Sequence, residues 1–154
     1  YQLHASPNHP ISRGHITLDS SNPYDYPKIL FNYLKEEEDL KQTRECIHVA
    51  RKILSQPALS EHAGKEIGPG SEAQSNEQLD EYIKSKADTA YHPCGTCKMG
   101  VDEMAVVDES LRVKGIKNLR VVDASIIPEI PSANLNAPVL MIAEKASDMI
   151  LNQI

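Results

Sequence analysis

Apolar residues recur at helical spacing in only three stretches of this chain, so it can build a few helices and must join them by irregular connections. From Glu36 an acidic first turn precedes Leu40, Thr43, Ile47, Ala50, Ile53 and Leu54, a three-to-four spacing that predicts an amphipathic helix ending near Pro57. Ser75 with Gln78 three residues later has the capping-box spacing and starts a second helix, which carries Leu79, Tyr82, Ile83 and Ala87 inward. The third is marked by Asn136 as N-cap and Pro138 in its first turn, where a missing donor costs nothing. Val139–Ile142 with Ala146, Met149 and Ile150 make that helix apolar on most sides, which predicts burial.

Strand signals are short. His15-Ile16-Thr17-Leu18 alternates, and the Asp19–Pro23 cluster behind it is turn chemistry. Met104–Val107 and Leu111–Val113 flank a polar turn at Asp108, and Leu119–Val122 reads as a short buried strand between Asn118 and Asp123. The Pro- and Asn-rich segment up to Ser12, the glycine-rich Ala63–Ser71 and the proline-containing Ser125–Leu135 have no period and read as loops. A few helices with short strands make an α+β chain.

Several chemically suggestive residues have plain readings. Tyr24, Tyr26 and Tyr33 are expected to pack, since aromatic residues at such positions are more often core than ligand contacts. Glu36–Asp39 reads as a solvated, dipole-favoured helix start rather than a cation site. His48 falls off the apolar stripe, and His62 and Glu66 lie ambiguously in or beside a loop.

The net charge of −6 argues against a nucleic-acid footprint, which needs a basic face. It suits a cationic small molecule. Three cysteines make no disulfide framework, and there is no glycosylation sequon, so a cytoplasmic setting is expected. No apolar run approaches the roughly 18 residues of a membrane span.

The densest chemistry lies in Tyr91-His92-Pro93-Cys94-Gly95-Thr96-Cys97-Lys98-Met99-Gly100. The proline biases His92 to extended backbone and the two glycines relax the chain beyond it, so the imidazole is displayed from a loop. Cys94 and Cys97 have the spacing of half a zinc site or a redox pair, but four ligands are needed and the remaining thiol, Cys46, sits in a helical pattern. The half-match to a zinc-deaminase signature lacks its His-x-Glu partner. No metal is expected. On these residues alone, His92 reads more readily as a hydrogen-bonded loop residue, with the cysteines as small hydrophobes, than as a catalytic group.

The segments around the loop carry a resemblance. Val106-Val107-Asp108, Leu111-Arg112-Val113, Gly115, Asn118 to Pro128, and Asn134-Leu135-Asn136-Ala137-Pro138 resemble the C-terminal part of the glucose-methanol-choline (GMC) oxidoreductases, flavoenzymes that oxidise alcohols. Pro10 to Leu18 and Asn22 to Tyr33 resemble the opening of the same region. Glu66-Ile67, Pro69-Gly70 and the His92–Gly100 loop with Asp102-Glu103-Met104 are most similar to the family's choline-oxidising members.

The resemblance implies FAD as cofactor and choline as substrate. Another aliphatic or sugar alcohol is the neighbouring alternative, and a non-catalytic fragment with a structural or binding role is the alternative of different class. It implies residues 1–104 as part of a substrate-binding domain with an antiparallel sheet, and 105–154 as a strand and helix returning to the FAD domain. None of the seven glycines forms Gly-x-Gly-x-x-Gly, so the Rossmann half is expected in sequence upstream.

By the same resemblance His92 is the catalytic histidine, and Asn134 holds the position opposite it that carries Asn or His. Asp123 and Ala124 meet the ribityl and pyrophosphate part of the flavin. Asn136, Ala137 and Pro138 start a helix aimed at its pyrimidine end, and Tyr91 offers an aromatic face to a trimethylammonium head. The electron acceptor, oxygen or a respiratory chain, is left open, as are homo-oligomerisation and peripheral attachment at the inner face of the cell membrane.

Overall fold

A computed structural model describes residues 2–152. The chain divides into two compact units, Tyr1–Asp88 and Thr89–Ile154. The His92 loop falls in the second unit, together with the described residues from 105 to 152.

In the first unit β1 (His15–Thr17) pairs antiparallel with β2 (Lys28–Leu30), His15 opposite Leu30 and Ile16 opposite Ile29. The connection is set by local polar chemistry: Asn22 Nδ2 donates to Asp25 at 2.8 Å and Ser20 Oγ donates to Asp25 at 2.5 Å. Gly14 is required where it stands, because a Cβ there would lie 2.1 Å from the Leu30 carbonyl oxygen. Tyr24, Tyr26 and Tyr33 do not pack as expected. Tyr24 and Tyr26 are more than nine-tenths exposed, and Tyr33 is half exposed, stacked on Phe31 at 5.0 Å. A two-stranded ribbon has too little surface of its own to cover them.

The helix α1 (Glu37–Leu54) forms where the spacing predicts it and packs against α2 (Asn76–Lys86); of its apolar stripe Leu40 is buried and Thr43, Ile47, Ala50 and Leu54 are half-buried, whereas Ile53 is exposed. The capping box at the start of α2 is complete: Gln78 N donates to Ser75 Oγ and the Gln78 side chain accepts from Ser75 N. Leu40, Leu79 and Ile83 are buried, whereas Ala87 ends up exposed at the C-cap. Arg44, also buried, pairs with Asp80 of α2 at 2.6 Å and with Glu37 at 2.9 Å. Arg51 clasps Glu66 at 2.9 Å and donates to the Gly70 carbonyl, so Glu66 serves to fix its loop.

The acidic start of α1 is a second correction. Glu36 to Glu38 are exposed, but Asp39 is buried, and its two oxygens accept the Ile11 and Ser12 amides, each at 2.8 Å. The leading segment has no strand partner for those amides and takes a carboxylate instead.

The second unit is built on a core of Val107, Leu111, Ile126 and Ala146, surrounded by Met99, Val106, Val113, Val121, Ile142 and Met149. Its backbone is tied by isolated bridges, Met99 with Val107, Val107 with Val113 and Arg112 with Arg120. Leu119–Val122 is therefore no buried strand: one bridge holds it, and Leu119 is 46% exposed.

The last helix, α3 (Asn136–Leu151), starts one residue earlier than expected, with Leu135 as N-cap and Asn136 as its first residue. It turns Ile142, Ala146 and Met149 to the core, a spacing of four and three. Val139 is half-buried, but Leu140, Met141, Ile150 and Leu151 are exposed, so burial on most sides is not found. The core of this unit meets only one face of a helix that is apolar on most sides. No helix among the described residues is long and apolar enough to cross a membrane.

Candidate active site

The decapeptide loop is irregular, as read, but it is not loose. Gly95 adopts φ +90°, a conformation that suits glycine, and Lys98 N donates back to the Gly95 carbonyl at 3.2 Å. Beyond that turn the Cys97 amide donates to the Ser125 carbonyl at 2.9 Å, and the Met99 amide to the Ile126 carbonyl at 2.8 Å. Gly95 itself lies so close that a Cβ would be 3.2 Å from the Ile127 carbonyl oxygen. On its far side the loop is held by Gly100 N to Val107 O at 3.2 Å and Val106 N to Lys98 O at 2.9 Å. Lys98 also pairs with Asp102, whose carboxyl this lysine and the Met104 amide hold below its ordinary pKa.

The partner segment is a 3₁₀ turn, Ala124–Ile126, capped by Asp123. One Asp123 carboxylate oxygen accepts both the Ser125 amide at 2.7 Å and the Ser125 hydroxyl at 2.5 Å. Asp123 therefore has a structural task, and its backbone remains extended at φ −158°. Thus the fold joins residues far apart in sequence, Cys97 with Ser125 and Met99 with Ile126.

At the front of the loop, Tyr91 is 77% exposed and held at φ +60°, with its amide donating to Thr89 Oγ1 at 3.0 Å. A non-glycine residue in this region carries about 1–2 kcal/mol of strain, and such strain clusters at functional sites. His92 is half-buried.

Asn134 is exposed and immediately precedes buried Leu135, which fixes the start of α3. Among the described residues no hydrogen bond joins Asn134 to His92. What the fold does bring into one unit is the loop, the Asp123-Ala124 turn and the Asn134–Pro138 helix start.

Whether these residues suit a flavin can be tested on the start of α3. The first amides of a helix have no intrahelical acceptor. Here no side chain caps them, no carboxylate occupies the first turn, and the first helical bond is Val139 N to Leu135 O at 2.9 Å. Asn136 and Ala137 are exposed at that end, and Pro138 has no donor to lose. An uncapped, positively polarised helix start suits an acceptor-rich or anionic ring edge.

Sequence reading missed Ser125 and Thr89, which hold the loop and its tyrosine. For Ser125 a signal existed: Asp-x-Ser at this spacing permits an Asx turn. Among the described residues, no three His, Cys, Asp or Glu side chains gather where a metal ion could sit.

Residues 10–143 match the sequence model of the C-terminal GMC oxidoreductase domain. The chain belongs to the GMC oxidoreductase family. An oxygen-dependent choline dehydrogenase of Escherichia coli O139:H28 is 52% identical over 153 residues, 99% of this chain and 28% of that protein. The chain thus spans a little over a quarter of the length of the curated relatives it matches. Among solved structures, pyridoxine 4-oxidase from Mesorbium loti superposes with a TM-score of 0.86 at 37% identity, covering 91% of this chain and 27% of that one. An FAD-dependent oxidoreductase from Chaetomium thermophilum gives a TM-score of 0.89 at 26% identity, covering 94% of this chain and 25% of its own. The GMC fold of this segment is therefore α+β, with a small antiparallel sheet and packed helices.

Proposed function

We propose that this GMC segment is the C-terminal part of an FAD-dependent enzyme that oxidises choline to betaine aldehyde, a step toward glycine betaine. The observation that carries this reading is 52% identity, across nearly the whole segment, to an oxygen-dependent choline dehydrogenase. The clamped His92 loop and the uncapped start of α3 agree with it.

The chemistry assigns each residue a task. Oxidising an alcohol requires taking the hydroxyl proton and stabilising the oxygen as charge develops, while bound FAD supplies the hydride acceptor. The His92 imidazole takes that proton, being a base suited to neutral pH on a loop whose backbone is fixed at Cys97 and Met99. The Asn134 amide donates a hydrogen bond to the same oxygen. The amides of Asn136 and Ala137, ahead of Pro138, serve the pyrimidine end of the flavin, and the backbone at Asp123 and Ala124 serves its ribityl and pyrophosphate part. Tyr91, strained and exposed, offers its ring to the quaternary ammonium. The dinucleotide fingerprint and the rest of the pocket are assigned to upstream sequence, and oxygen is the acceptor that the curated relatives' name favours.

The test is expression of the protein with its upstream sequence, a flavin spectrum, and anaerobic flavin reduction by choline compared with a simple alkanol. Flavin absorbance with preferential reduction by choline is expected. Reduction by the alkanol at equal rate would replace choline with a general alcohol substrate.

A further inference from the structure

The 3₁₀ turn Ala124–Ile126 satisfies only two of its own carbonyls, Asp123 O by the Ile126 amide at 3.3 Å and Ala124 O by the Ile127 amide at 3.2 Å. The Ser125 and Ile126 carbonyls are left over, and Ile126 is 2% exposed, so water is a poor substitute. The His92 loop supplies the missing donors, Cys97 N and Met99 N. The direction in which those two carbonyls point is in turn set at the start of the turn, where Asp123 Oδ1 grips the Ser125 amide and hydroxyl together.

We propose that Ser125 is a positioning residue for the reaction: its hydroxyl, locked to Asp123, aims the turn's last carbonyls and so sets where the loop presents His92. The chain of contacts is short and has little slack. Ser125 contacts Asp123 through its side chain and Cys97 through its own carbonyl, so a rotation of this one residue moves both ends. Gly95 passes against the Ile127 carbonyl at near-contact distance, which leaves the loop no room to follow a displaced turn without shifting residues 92–94. Because Asp123 lies in the segment read as facing the flavin, the same clamp places cofactor contact and proton acceptor in one rigid register. This inference rests on the choline-oxidising reading for its catalytic half and on hydrogen bonding alone for its structural half.

The test compares Ser125→Ala and Ser125→Thr in the full flavin-loaded protein by amide hydrogen exchange, bound FAD content and anaerobic flavin reduction by choline across pH. In Ser125→Ala the Cys97 and Met99 amides should exchange about ten- to a hundred-fold faster, the change expected from losing one charge-assisted hydrogen bond. The maximal reduction rate should fall about ten-fold, with a displaced pH profile, unchanged FAD content and little change in the choline concentration for half-maximal rate. Ser125→Thr keeps the hydroxyl and should restore both. Unchanged exchange at Cys97 and Met99 in Ser125→Ala, or loss of FAD without faster exchange, would overturn the proposal. If Ser125→Ala does not fold, Ser125→Cys, which replaces the hydroxyl by a weaker donor, takes its place, and unchanged exchange at Cys97 and Met99 in that variant overturns the proposal. Faster exchange in a protein that oxidises no alcohol would uphold the clamp and overturn only the functional reading.

Discussion

Replacing Asp39 should unfasten the leading segment from α1. Its carboxylate is 2% exposed and accepts two backbone amides, Ile11 N and Ser12 N, both at 2.8 Å. Hydrogen bonds to a charged acceptor contribute about 1.5–3 kcal/mol each. The released amides lie toward the surface, where water recovers part of that. Asp39→Ala should therefore cost about 2–4 kcal/mol, a large share of the roughly 5–15 kcal/mol that a domain has in total. Asp39→Asn keeps one acceptor oxygen but turns an amino group toward an N–H donor, and should cost about half as much.

The same group carries a pH signature. Burial pushes the Asp39 carboxyl upward. The Ser12 hydroxyl, the Ile11 and Ser12 amides and the charge of Arg13 outweigh it and hold the pKa below its ordinary value. A lowered folded-state pKa means that the unfolded chain binds the proton more readily. The contribution is thus fully present above the unfolded value of about 3.9 and is lost as pH falls through the folded one. Urea unfolding followed by circular dichroism should show the gap between wild type and Asp39→Asn narrowing once pH drops below about 4. A cost under about 0.5 kcal/mol for Asp39→Ala, the range of ordinary surface substitutions, would refute the reasoning. So would a gap that does not change with acid.

Three further outcomes test the site. His92→Ala in the full protein should retain FAD while flavin reduction falls about a hundred- to ten-thousand-fold, and Asn134→Ala should lose less; anaerobic stopped flow measures both without interference from reoxidation. Gly95→Ala forces an L-residue to φ +90° and sets a methyl 3.2 Å from the Ile127 oxygen, so it should cost about 1–2 kcal/mol in thermal unfolding and slow flavin reduction without releasing FAD. The isolated 154-residue chain should show no stable flavin absorbance after FAD is added, since the pyrophosphate cradle is assigned upstream; micromolar binding in a titration would move that assignment.

Local signals were legible without a structure wherever a few neighbouring residues decide the outcome. The Ser75 and Gln78 capping box, the α1 stripe ending near Pro57, the short β1 strand and the irregular His92 loop follow from side chains acting within one turn of themselves. The family, too, was readable, because its motifs lie in contiguous segments.

What the sequence could not determine depends on who covers whom. Apolarity of α3 says that it prefers burial, but only tertiary packing decides that Ile142, Ala146 and Met149 meet a core while Leu140 and Met141 do not. A charge run such as Glu36–Asp39 looks uniformly solvated until a strandless segment, 28 residues away at Ile11, brings its amides to Asp39. The union of the His92 loop with the Asp123 turn is of the same kind. Its bonds run between backbone groups, which carry no side-chain signature, so only the folded chain could show that Cys97 and Met99 donate to Ser125 and Ile126.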